Sequence, residues 1–70
     1  MGKNRVFQVT ATGDVWEEVP GDLRFLGSFG DQASGIAEAQ REAALSAPST
    51  VIVLAADGGK RQVIEIDNNT

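Results

Sequence analysis

The 70-residue chain contains no cysteine and no histidine. The first absence removes disulfides and thiolate metal sites as staples for a small fold. The second removes the commonest general base and the commonest zinc ligand. Aromatic side chains are scarce: Phe7, Trp16, Phe25 and Phe29 are the whole set. Large aliphatic residues are also few, and much of the 41% hydrophobic fraction is alanine. A chain this short lies near the lower size limit for a lone hydrophobic core. One domain over residues 1–70 is therefore expected, packed thinly or completed by a partner's surface, with 1–4 and 68–70 disordered. No apolar run reaches about 18 residues, which excludes a membrane-spanning helix. The start, MGKNRVFQV, lacks the apolar middle of a signal peptide, and Val6 stands where a myristoylation signal needs Ser or Thr. A cytoplasmic location is the expectation.

Positive charge is sparse and scattered, and the net charge is −4. That balance argues against wrapping a nucleic-acid backbone, which needs clustered Lys and Arg. Acidic residues gather in one stretch: Asp14, Glu17, Glu18 and Asp22. They read either as a solvated hairpin edge or as a surface that mimics phosphates for a basic partner.

What is present is strong patterning. RVFQVTA (residues 5–11) alternates with period two and is rich in β-branched residues, which predicts a strand. Thr12-Gly13-Asp14 is turn chemistry, and VWEEV (15–19) returns as a second strand. Pro20-Gly21-Asp22 breaks that strand. LRFLGSF (23–29) is either a third short strand or a continuation beyond a kink. Asp31 is placed to cap a helix that runs through QASGIAEAQREAALSA toward Pro48. Ala33, Ile36, Ala39, Ala43 and Ala47 share one helical face, and Leu45 projects to the other side. The closing TVIVLAADGGKRQVIEID is a hairpin around Asp57-Gly58-Gly59. A two-residue loop at Asp57–Gly58 would set Val53 opposite Gln62, whereas a three-residue loop pairs Val53 with Val63 and Ile52 with Ile64, keeps like residues together and is the register expected. It puts Ile52, Leu54, Ile64 and Ile66 on one face and Val51, Val53 and Val63 on the other. The fold class is then α+β: a small antiparallel sheet with one helix on one face, in the order β-β-α-β-β.

Chemistry is harder to find. Gly27, Gly30 and Gly35 precede and enter the helix, but neither the P-loop nor the dinucleotide fingerprint matches their spacing. They read as backbone devices, with Gly35 allowing close helix–sheet contact. Glu17 and Glu18 point to opposite faces of a strand and cannot form a glycosidase pair. Glu38 and Glu42 lack a third metal ligand, and Asp57 lacks the spacing of a calcium loop. The serines at 28, 34, 46 and 49 have no basic partner to activate them. No catalytic, cofactor or metal site is expected, and the chain reads as a non-enzyme. Trp16 is a core residue or, if exposed, an interface anchor.

With VFQV, VWEEV, the helix entry FGDQASGIAEAQREA and the closing VIVLAADGGKRQVIEI in place, the chain resembles an uncharacterised family of short bacterial and phage hairpin–helix–hairpin proteins. The resemblance covers most of the chain and implies a fold and a phage or prophage setting, without an activity or site residues. Asp31, Ser34 and Gly35 depart from the Thr-x-x-Glu-Ala entry usual in that family.

The function expected from these readings is protein–protein contact, as a homodimer. One helix covers only one side of a small sheet, so Trp16, Val51, Val53 and Val63 are the candidate contact, with Leu45 a further one. The alternative is an acidic phage-type inhibitor that occupies a host protein through Asp14, Glu17, Glu18 and Asp22. Direct nucleic-acid binding through Lys3, Arg5, Lys60 and Arg61 comes third, because it requires those four to converge.

Overall fold

The computed structural model describes residues 4–67, and the expectations for 1–3 and 68–70 lie outside that range. Asn4, expected to be disordered, instead sits beside the sheet and donates from Nδ2 to Thr50 Oγ1 at 3.4 Å. The elements run β1 (Arg5–Val9), β2 (Asp14–Val19), β3 (Asp22–Ser28), α1 (Gln32–Leu45), β4 (Ser49–Leu54) and β5 (Lys60–Ile66). The α+β class holds, with one more strand than expected because LRFLGSF forms a strand of its own. Pro20 and Gly21 make the tight turn that separates it from β2, and Gly21 takes a φ of +78° there.

The five strands form one sheet in the order β3-β2-β1-β4-β5. Its hairpins are antiparallel, but β1 pairs with β4 in parallel, so the sheet is mixed rather than wholly antiparallel. The helix explains this correction. It carries the chain from the β1–β3 meander to the last hairpin as a crossover, and a crossover returns the chain to pair in parallel.

The register of the last hairpin also differs from expectation. Val53 faces Gln62, Ile52 faces Val63 and Val51 faces Ile64, with an irregularity between Val53 and Leu54. Gly58 closes the turn at φ +88°, with its N–H donating to the Ala55 carbonyl at 2.9 Å. The extra residue near the turn shifts the pairing by one, and a one-residue shift exchanges faces between the partners. Val51 is therefore level with Ile64, while Ile52 shares the opposite face with Val63.

The helix starts as expected, with Asp31 Oδ1 accepting the Ser34 N–H at 2.8 Å. Its buried stripe is Gly35, Ala39 and Ala43, and Ile36 is half-buried. Ala33, expected on that stripe, is exposed. The stripe turns to Gly35 because that is where the helix comes closest to the sheet. A Cβ there would lie 2.9 Å from Val9 Cγ1 and 3.0 Å from the Gly13 carbonyl. Small residues at i, i+4 and i+8 let α1 lie against β1 and β4, and they leave β3 essentially uncovered. The core beneath is Phe7, Val9, Val15, Val51 and Val53, with Phe29, Ile36, Ile64 and Ile66 packed at its margin.

Candidate functional site

The sheet has one face under the helix and one open, and the parity of each strand decides which side chains go where. Phe7, Val9, Val15, Val51 and Val53 point to the helix and are at most 1% exposed. Their strand neighbours point away. The register across the sheet gives one continuous row on the open face: Phe25, Trp16, Gln8, Ile52, Val63. A second row runs Leu23, Glu18, Val6, Thr50, Glu65. Leu23, Phe25 and Val63 are among the most exposed large apolar residues, at 42%, 51% and 46%. Trp16 is half-buried because its indole packs against the Phe25 ring, with centroids 4.8 Å apart and planes tilted by 58°. Tilted contact of this kind favours the pair beyond the area it buries.

Trp16 and Val63, expected at a contact surface, thus lie together in one row. Val51 and Val53 do not. They are enclosed beneath the helix, a correction that follows from the pairing of β4 with β1, which sets Val51 level with Phe7 and Val53 level with Val9. Leu45 is 76% exposed at the last turn of α1, on the other side of the sheet from the open row, and joins no patch with it. Phe25, Leu23, Ile52 and Gln8 are open-face residues that sequence patterning did not single out. Strand parity counted outward from Trp16 reaches Gln8 and Phe25. Ile52 is reached only once the parallel pairing of β1 with β4 is known, and Val63 only once the hairpin register is.

The acidic stretch is divided. Glu18 is exposed on the open face and accepts from Gln8 Nε2 at 2.8 Å. Asp22 accepts the Leu23 N–H at 2.8 Å in the turn. Asp14 is half-buried and accepts from the Ser28 hydroxyl. Glu17 leaves the acidic surface altogether: it is 7% exposed and lies on the helix side. Arg5 grips its carboxylate with two bonds, Nε to Oε2 at 2.7 Å and Nη2 to Oε1 at 2.8 Å. Arg24 Nη2 adds a third at 2.8 Å. Arg5 also donates to Ser46 Oγ at 3.0 Å and lies over the Phe7 ring, 4.8 Å from its centroid. This network joins β1, β2, β3 and the end of α1. Its charge is spent internally, so it offers a basic partner nothing.

The basic residues do not converge either. Arg5 is held by Glu17 at one end of the sheet. Lys60 and Arg61 open β5 at the other end, where Arg61 Nη1 donates to Gln32 Oε1 at 3.0 Å. Lys3 lies outside the described residues. Among the described residues no three acidic side chains gather as a metal-binding set. No helix among them is long and apolar enough to cross a membrane.

Glu17 makes a testable contribution to stability. The hydrogen bond from Arg5 is the main cause of a carboxyl pKa below its ordinary 4.5, opposed by burial and helped by Arg24. A folded-state pKa below the unfolded one gives stability that is complete above the unfolded value. It is lost as pH falls through the folded value. The urea midpoint should therefore fall on acidification below the ordinary carboxylate range, and less so in Glu17→Gln. At neutral pH the same substitution should cost about 2 kcal/mol, since both arginines keep some access to water. An unchanged midpoint would show that the network contributes nothing.

No protein-family model, curated protein or solved structure matches the chain.

Proposed function

We propose that the protein is a non-enzymatic contact module that pairs with a second copy of itself through the open face of its sheet. The observation that carries this reading is the uncovered row Phe25–Trp16–Gln8–Ile52–Val63. Two further features support it. The central strands β1 and β4 are parallel, and parallel pairs are normally covered on both faces. Face-to-face packing of two such sheets at about 10 Å separation is an ordinary arrangement, and a two-fold axis makes one patch its own complement.

The area sets the expected strength. Five strands about 4.8 Å apart, each about 17 Å long, present on the order of 400 Å² per copy. Together the two copies bury on the order of 800 Å², below the roughly 1,200–2,000 Å² of standard specific interfaces and in the range of weak, transient ones. A dissociation constant of about 100 μM is expected, so the dimer is reversible.

Sedimentation equilibrium between about 10 μM and about 1 mM tests this directly, since that range brackets the expected constant. The mass should climb from the 7.4 kDa monomer toward twice that value. Phe25→Glu and Val63→Glu sit at half-exposed positions, so each should keep the fold and hold the protein monomeric. A wild type that stays monomeric throughout, or variants that associate as it does, would remove the reading.

A further inference from the structure

On the helix side of the sheet, α1 lies over β1 and β4 and leaves a groove of about 200 Å³ against β2 and β3. Its floor and one end are apolar: Val15, Leu26 and Phe29. Its other end is charged, with Arg5 and Arg24 on the sheet and Glu38 and Glu42 on the helix. Two of these charges have bonding capacity left over. Among the described residues Arg24 bonds only Glu17, through one nitrogen, and is 61% exposed. Among the described residues the Glu42 carboxylate contacts only Arg41, at 3.6 Å, with a longer-range attraction to Arg5, and its side chain is 38% exposed. A cation and an anion thus line one end of an apolar slot without pairing with each other.

We propose that this groove is a binding site for a free apolar α-amino acid. The aliphatic side chain would lie on Leu26, Val15 and Phe29, the carboxylate would meet Arg24, and the ammonium would meet Glu42. Size selects this class, because cofactor and nucleotide sites run to about 300–1,000 Å³ and this groove is smaller. Charge selects it as well: an anion alone would satisfy Arg24 but would lie against Glu38 and Glu42, and a cation alone would meet the reverse conflict. A zwitterion with an apolar tail satisfies both ends at once. The site is separate from the open face, which lies across the sheet.

The test is titration of the labelled full chain with L-leucine, following backbone amide shifts. Isocaproate, which lacks the ammonium, and isoamylamine, which lacks the carboxylate, are the comparison probes. Leucine should produce saturable shifts at Leu26, Phe29 and Glu42 in the millimolar range, as expected for a ligand of so few atoms. Each single-charge analogue should bind about tenfold more weakly, the loss of one charge-assisted contact. Arg24→Gln should weaken leucine and isocaproate while sparing isoamylamine, and Glu42→Gln should do the opposite. Arg24 is exposed, Glu42 is half-buried at the helix surface, and Glu17 keeps Arg5, so the fold should survive either change. No shifts by about 50 mM leucine, an order of magnitude above the expected range, would overturn the proposal. So would equal binding of the single-charge analogues. Groove shifts that follow protein concentration alone would overturn it too, and would assign the groove to a second copy instead.

Discussion

Gly13→Ala should remove a large part of the protein's stability at 25 °C. Gly13 sits in the β1–β2 turn with φ at +90°, a region that side chains with a Cβ rarely enter. That alone costs about 1–2 kcal/mol. Steric overlap costs more. A Cβ would stand 2.6 Å from the Asp31 carbonyl carbon and 2.9 Å from the Asp31 nitrogen, closer still to the carbonyl oxygen. These are backbone atoms at the helix cap, and they cannot rotate aside. The Gly13 carbonyl also accepts the Phe29 N–H at 3.0 Å, so the turn and the helix entry are fastened to each other. Moving either loses the cap or the close seat of Gly35. A cost of about 4 kcal/mol or more is expected, against a total stability of about 4–10 kcal/mol for a chain of this length. Gly58→Ala is the control. It has a similar φ of +88° with nothing within 4 Å of the added atom, so only the conformational cost should appear. Equal urea midpoints for the two variants would refute the steric account.

Phe7→Ala comes next in size. Phe7 is the largest fully buried side chain, on the central strand between Glu17 of β2 and Val51 of β4. The surrounding core is valine and alanine, with few atoms free to collapse into the vacated space. Truncating a buried phenylalanine costs about 3–5 kcal/mol, and the upper half of that range is expected here. Arg5 would also lose the ring beneath its guanidinium, so the Glu17 network should loosen along with the core. Thermal unfolding should show a drop of tens of degrees or no cooperative transition at all. A drop of only a few degrees would mean that the core is less tightly packed than described.

Local chemistry made much of this legible in the sequence. Asp31 as the helix cap, the turns at Gly13 and Pro20-Gly21, and the alternation of β1 and β2 follow from residue types that leave little choice. Gly35 as a point of close approach was legible too, because a glycine inside a helix needs a reason. What could not be read depended on contacts between distant segments. The parallel pairing of β1 with β4 is set by the helix returning across the sheet, and nothing in either strand announces it. The register of β4 and β5 turned on a single bulged position near the turn, yet it set Val63 beside Ile52 on the open face and Ile64 beside Val51 beneath the helix. Strand parity put Glu17 and Glu18 on opposite faces, but not which of those faces the helix would cover. Glu17 and Glu18 are neighbours in the chain, and only Glu18 reaches the solvent. Arg24 and Glu42 are 18 positions apart in sequence, and their common groove exists only because the helix lies off-centre.

The central claim is that one helix shelters one face of the sheet and that a second copy covers part of the other. Backbone and indole amide shifts recorded over a dilution series test it residue by residue. On dilution from about 1 mM, shifts should move for Gln8, Trp16, Phe25, Ile52 and Val63 while the amides of α1 stay still. Spectra that do not change with concentration, or changes gathered on the helix, would contradict it.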